Sequence, residues 1–200
     1  MTMALVPIPT CRPGGQIVSL FDPLPVVWST DATTTNLVSE GWYYLGPAAT
    51  NNDNTPGTEI VVRELEPGVL VDVADWIQVW NDTGSHKKTD FALWRGVGPS
   101  PDYVVVGGFF TRSHKKPTAQ EAKGIKAIHK LALHNTAPGS QVWTDKGSKA
   151  KEDGAIWGIS SFGVVPTGAF VPVKGYNNPP QELYGLQSHQ VAKSGLEGEN

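Results

Sequence analysis

The sequence has a single cysteine, Cys11, in 200 residues, so neither a disulfide framework nor a four-cysteine metal centre is available to it. Charged residues make up only 18% against 39% hydrophobic ones, which is too apolar a balance for a disordered chain. No apolar run approaches the ~18 residues of a membrane-spanning helix. The opening, Met1 to Pro7, carries neither a basic region nor a sustained apolar stretch. No signal peptide is visible, and a cytoplasmic or peripheral-membrane location is expected, with unconventional secretion open. Enzyme motifs are missing too: there is no Gly-x-Ser-x-Gly elbow, no His-Glu-x-x-His, no phosphate loop and no dinucleotide fingerprint. The five histidines (His86, His114, His129, His134, His189) are scattered, and no pair has metal-ligand spacing beside a carboxylate. The expectation is no enzyme, no cofactor and no metal.

Glycine (22), proline (16) and tryptophan (7) are plentiful, a punctuated and aromatic composition that suits short strands better than a helical bundle. A chain of this length buries roughly 70% of its unfolded surface and can stand as one domain. Its charge is uneven. Residues 1–86 carry two basic and ten acidic side chains, residues 87–151 twelve basic and four acidic, and residues 152–200 two basic and five acidic. A basic middle third points to an anionic partner, or else to a face merely solvated by lysines.

The chain repeats itself. Residues 79–94 (VWNDTGSHKKTDFALW) match residues 142–157 (VWTDKGSKAKEDGAIW) without a gap. Tyr103 to Gly107 then matches Phe162 to Pro166, each run leading to an aromatic (Phe109 or Phe110; Phe170). A worn copy runs from Val27-Trp28 to Trp42-Tyr-Tyr-Leu-Gly46. Units of about 20–66, 76–134 and 139–192 follow, within a single domain of residues 1–200 and ahead of a frayed tail at 193–200. Each hairpin is closed by a Gly-Ser tip, where Gly84 and Gly147 are expected at positive φ. Residues 118–133 have helical spacing at Ile125, Ile128 and Ala132, but the repeat predicts a strand after a short helical turn at 118–122. The expected fold is all-β and β-prism-like: three small antiparallel sheets under a pseudo-threefold repeat.

The segment VWNDTGSHKKTDFALWRGVGPSPDYVVVGGFFTRSHKKP resembles the repeat of the vacuolar protein sorting-associated protein 62 family, and the likeness covers residues 20–192. The departures are Pro101-Asp102-Tyr103, which lacks the family's glycine, and Phe162-Gly163, which lacks its tyrosine; an irregular last sheet is expected. The resemblance implies a β-prism-like fold without catalytic activity, of a kind that occurs in lectins and membrane-recognition modules.

Two sets of tip residues are candidates for binding. Lys87, Lys88, Lys115, Lys116, Lys146, Lys149 and Lys151 lie at or near predicted tips, have no counterparts in the first unit, and suit anionic lipid headgroups. Asp90, Asp153, Ser85 and Ser148 recur at matched positions and suit the hydroxyls of a glycan. The alternative for the tip carboxylates is structural, with Asp82 and Asp145 fixing their own turns. Repeated Val-Trp positions are expected in the core, whereas Trp76 falls outside the repeat and is freer to be exposed. The expected partner is a membrane surface or, alternatively, a glycan bound as by a lectin. Acidic flanks argue against nucleic acid, and oligomerisation stays open.

Overall fold

The computed structural model describes residues 5–8, 11–12, 16–17, 43–47, 61–64, 67–160 and 169–186. In chain order the strands are β1 (Leu5–Ile8), β2 (Cys11–Arg12), β3 (Gln16–Ile17), β4 (Tyr43–Tyr44), β5 (Val61–Glu64), β6 (Leu70–Asp72), β7 (Asp75–Asn81) and β8 (Ala92–Val97). They continue as β9 (Tyr103–Val104), β10 (Gly108–Thr111), β11 (Lys126–His129), β12 (Leu133–Thr136), β13 (Pro138–Thr144), β14 (Gly154–Ile159), β15 (Phe170–Lys174) and β16 (Leu183–Leu186). The fold is all-β, and its strands form several small antiparallel sheets.

Strand pairing carries the repeat. Two hairpin sheets, β7-β8-β10 and β13-β14-β15, come from the matched segments. A second kind of sheet closes each unit, because its last strand pairs with a strand that precedes the unit's hairpin segment: β5 on β1, β11 on β6 and β16 on β12. β4 adds to the first of these as β9 adds to the second. The second and third units thus divide their strands between a hairpin sheet and a closing sheet. The hairpin expected for the first unit (within 20–42) and the 193–200 tail lie outside the described residues. The units meet at one apolar cluster, to which Leu45, Val106 and Ala169 each bring a different unit. There the Gly107 amide donates to the Leu45 carbonyl at 3.0 Å, and a Cβ on Gly107 would fall 2.5 Å from that same oxygen.

Within residues 118–133 the predicted turn and strand both form, but the strand is short and gives way to a 3-10 turn at Lys130–Ala132. Thr118 and Glu121 form a capping box, with the Glu121 carboxylate accepting from the Thr118 amide and hydroxyl, both at 2.8 Å. One turn follows, the Ala122 amide donating to the Thr118 carbonyl at 3.1 Å, and then strand β11 with Ala127 and Ile128 buried.

The hairpin sheets share one irregularity that determines the tryptophan positions. In β7, Gln78 pairs with Trp94 and the next partners are Trp80 and Leu93, so Val79 is an extra residue. β13 repeats this, with Gln141 on Trp157, Trp143 on Ile156 and Val142 extra. An added residue reverses the in-out alternation of a strand. Trp76 therefore joins Trp94 and Phe109 on one face, while Trp80 joins Leu93 and Phe110 on the other. β13 has a further register shift between Pro138 and Gln141, so the third unit's sheet is the less regular one.

Trp76 corrects an expectation. It is 7% exposed, with its ring 5.3 Å from that of Phe109. β7 begins at Asp75, ahead of the repeated Val-Trp, and its alternation turns Trp76 inward under Ala122 and Ile125.

The two hairpin sheets differ in one buried polar group. The Trp94 indole donates to the Thr111 hydroxyl at 2.8 Å, whereas the buried Nε1 of Trp157 has no partner among the described residues. Thr111 stands opposite Ala92, and the equivalent residue opposite Ala155 is Val173. Val173→Thr is expected to supply the missing acceptor and raise stability by about 1 kcal/mol, read as a higher urea midpoint at unchanged slope. A midpoint that stays or falls would show that Trp157 is not held as Trp94 is.

Candidate functional site

The tips of the two hairpins have the same construction. In the first, Asp82 Oδ1 accepts the Phe91 amide at 2.9 Å and Oδ2 accepts the Ser85 hydroxyl at 3.1 Å. In the second, Asp145 Oδ1 accepts the Gly154 amide at 2.9 Å and Oδ2 accepts the Ser148 hydroxyl at 3.0 Å. Asp82 and Asp145 are 8% and 4% exposed, so both serve their turns. Gly84 (φ +94°) and Gly147 (φ +85°) take the expected left-handed conformation, and two residues on in each tip His86 (φ +58°) and Lys149 (φ +66°) take it as well.

A ring braces each tip from the bend just beyond β10 or β15. His114 Nε2 lies 2.7 Å from Asp82 Oδ1 and 4.0 Å from the Asp90 carboxylate. In the second tip the Tyr176 hydroxyl donates to Asp153 at 2.9 Å. Burial raises the Tyr176 pKa above the usual phenol range, and hydrogen bonding to Asp153 and Asp145 adds to the shift. Burial pushes the Asp82 carboxyl up, but hydrogen bonds from His114, the Phe91 amide and Ser85 outweigh it and hold the group below the usual carboxylate range. Asp82, Asp90 and His114 bring three metal-ligand-type atoms within 4.8 Å of one another, a cluster assembled across 32 residues of sequence. Tyr176 occupies the matching place in the second tip, so bracing of the turn accounts for this geometry.

The tips interlock. The Lys151 amide donates to the Thr83 carbonyl at 2.8 Å, and the Trp80 indole donates to the Glu152 carbonyl at 2.7 Å. Trp80 and Trp143 meet edge to face with ring centres 5.4 Å apart. Between the tips is a cleft of about 390 Å³, with Trp80, Phe91 and Trp143 as its apolar walls and Ser85, Ser148, Thr89, Lys87 and Lys88 also lining it.

The candidate lysines fall into three groups. Lys87 and Lys88 border the cleft, and Lys146, Lys149 and Lys151 stand exposed on the second tip. Among the described residues none of these five ammonium groups pairs with a carboxylate. Lys115 is exposed beside His114, while Lys116 pairs with Asp75. The glycan candidates separate. Ser85 and Ser148 reach the cleft, but each hydroxyl already donates to its aspartate and accepts an amide, from Lys87 at 3.3 Å and Ala150 at 3.0 Å. Asp90 and Asp153 do not line the cleft, and Asp153 holds Tyr176. Sequence reasoning missed Trp143 and Phe91 as cleft walls and His114 and Tyr176 as braces. The repeated Val-Trp was a signal for the first of these, and no spacing signals the braces.

A second concavity, of about 710 Å³, lies between β8, β9 and β15 to β16, with Arg95, Tyr103, Lys130 and Glu182 among its walls. No helix among the described residues is long and apolar enough to cross a membrane. No protein-family model and no curated protein matches the chain. Among solved structures it is similar to GNIP1Aa from Chromobacterium piscinae, with a TM-score of 0.70 and 22% identity over 96% of this chain and 38% of that one. The chain therefore spans well under half of that protein, and what the two are shown to share is a fold.

Proposed function

We propose that this chain is a non-enzymatic recognition module that docks on anionic membrane surfaces through its paired hairpin tips. The observation that carries this reading is the interlocking of two tips, which bear Lys87, Lys88, Lys146, Lys149 and Lys151 with no carboxylate within ion-pair distance among the described residues. The tips also bear acidic groups. Asp82 and Asp145 are turned into their turns and Glu152 pairs with Lys174, which leaves Asp90 and Asp153 exposed against the five lysines. At about 1 kcal/mol per lysine near an anionic leaflet, and with Asp90 and Asp153 opposing two of the five, the patch supplies up to about 3 kcal/mol, a weak and reversible affinity. Resemblance to the vacuolar protein sorting-associated protein 62 family supports a non-catalytic role and belongs to the same proposal.

Co-sedimentation with vesicles is the test. Binding is expected to phosphatidylserine-containing vesicles over pure phosphatidylcholine, and to disappear toward 1 M salt, where screening acts over about 3 Å. In the same assay Asp90→Asn is expected to strengthen binding a few-fold, by removing an exposed opposing charge. Binding indifferent to lipid charge and salt would overturn the proposal. Loss of binding on Asp90→Asn would favour the glycan reading, in which that carboxylate is a ligand.

A further inference from the structure

Resting on that reading of the tips, we infer that the cleft between them takes one class of headgroup: the phosphorylated polyol ring of a phosphoinositide-type lipid. Its walls and its rim call for different chemistries. Trp80, Phe91 and Trp143 present aromatic carbon, which suits the C–H face of a saturated ring. Lys87 and Lys88, neighbours in sequence, both line the cleft and have no ion-pair partner among the described residues, and two such cations suit phosphate oxygens. The carboxylate lining the cleft is Asp82, and its oxygens are already held by Phe91, Ser85 and His114. A diffuse anionic surface makes no use of aromatic walls. A neutral sugar makes no use of two lysines, and the serine hydroxyls it would need are engaged in their turns.

The cleft is also preformed. Its volume of about 390 Å³ lies in the range of small-ligand sites. Its two sides are tied by the Lys151–Thr83 backbone bond and by the Trp80 indole on Glu152, so little ordering remains to be done on binding.

The experiment compares vesicles of phosphatidylcholine doped with phosphatidylserine or with phosphatidylinositol 4,5-bisphosphate at matched surface charge, using the full chain. The phosphoinositide vesicles are expected to bind about tenfold more tightly. Lys87→Gln with Lys88→Gln is expected to erase that preference. Lys146→Gln with Lys149→Gln, away from the cleft, is expected to weaken both lipids alike and keep it. Thr89→Trp fills the cleft from an exposed position and leaves every lysine in place; it is expected to remove the preference while phosphatidylserine binding persists. Circular dichroism of each variant checks that the fold is retained. Equal binding to both lipids at matched charge would overturn the cleft assignment and leave the surface reading standing, and binding to neither would overturn both. Soluble inositol trisphosphate bound without any vesicle binding would mean that the ligand is a free polyol phosphate, which overturns the lipid source.

Discussion

Gly154→Ala is expected to destabilise the protein by about 3 kcal/mol and to disorganise the paired tips. An added Cβ would fall 2.4 Å from the Trp80 ring. The indole has little room to yield, because its Nε1 is bound to the Glu152 carbonyl and its edge abuts Trp143. Overpacking a fixed site costs about 1–3 kcal/mol, and losing the indole hydrogen bond adds about 1 kcal/mol. The matched residue of the other hairpin is Phe91, so the repeat as a sequence would tolerate a large side chain here. Gly158→Ala is the control, since its Cβ would meet the Ser140 carbonyl at an ordinary 3.6 Å. Denaturant midpoints that fall equally for the two variants would show that the Trp80 seat is not the cause.

Asp82→Ala is expected to cost about 3 kcal/mol as well, through a different mechanism. It leaves the Phe91 amide and the Ser85 hydroxyl without their acceptor and His114 without its partner. The conservative variant Asp82→Asn tests the charge. The folded-state pKa of Asp82 is depressed, so the carboxylate contributes its stability above the unfolded value of about 4 and loses it as pH falls through the lower folded value. Wild-type stability is therefore expected to drop below about pH 4 more steeply than that of Asp82→Asn. Asp75 is also depressed, chiefly by its hydrogen bond from Lys116, but that pair is exposed and adds little slope. Acid slopes that coincide in the two proteins would remove Asp82 as the source.

Much of the scaffold was legible because a repeat tests itself. The strand at 126–129 has a helix-like pattern of Ile125, Ile128 and Ala132 when read alone, and only comparison with the other units turns it into a strand. The tip aspartates were legible as turn-fixing groups for the same reason, since residues that recur with a fold tend to belong to it. Trp76 shows the limit of that logic. Falling outside a repeat does not place a residue outside the core, because strand β7 starts before the matched segment does.

The candidate site was legible only as a set of lysines. What joins them is the packing of one hairpin tip against another 63 residues away, through Lys151 on Thr83 and Trp80 in the space left by Gly154. No periodicity encodes that contact. Nor does any spacing announce the extra residues Val79 and Val142, which turn Trp80 and Trp143 to the side where they meet.

The order of residues by itself determined a β-rich chain, the matched pair of hairpins and the left-handed glycines of their tips, because alternation, turn chemistry and repetition are local properties. The cleft, the loss of Lys116 to Asp75 and the braces His114 and Tyr176 were decided by tertiary structure alone. They depend on which distant surfaces come into contact, and a bulge of one residue is enough to change which side of a strand makes that contact.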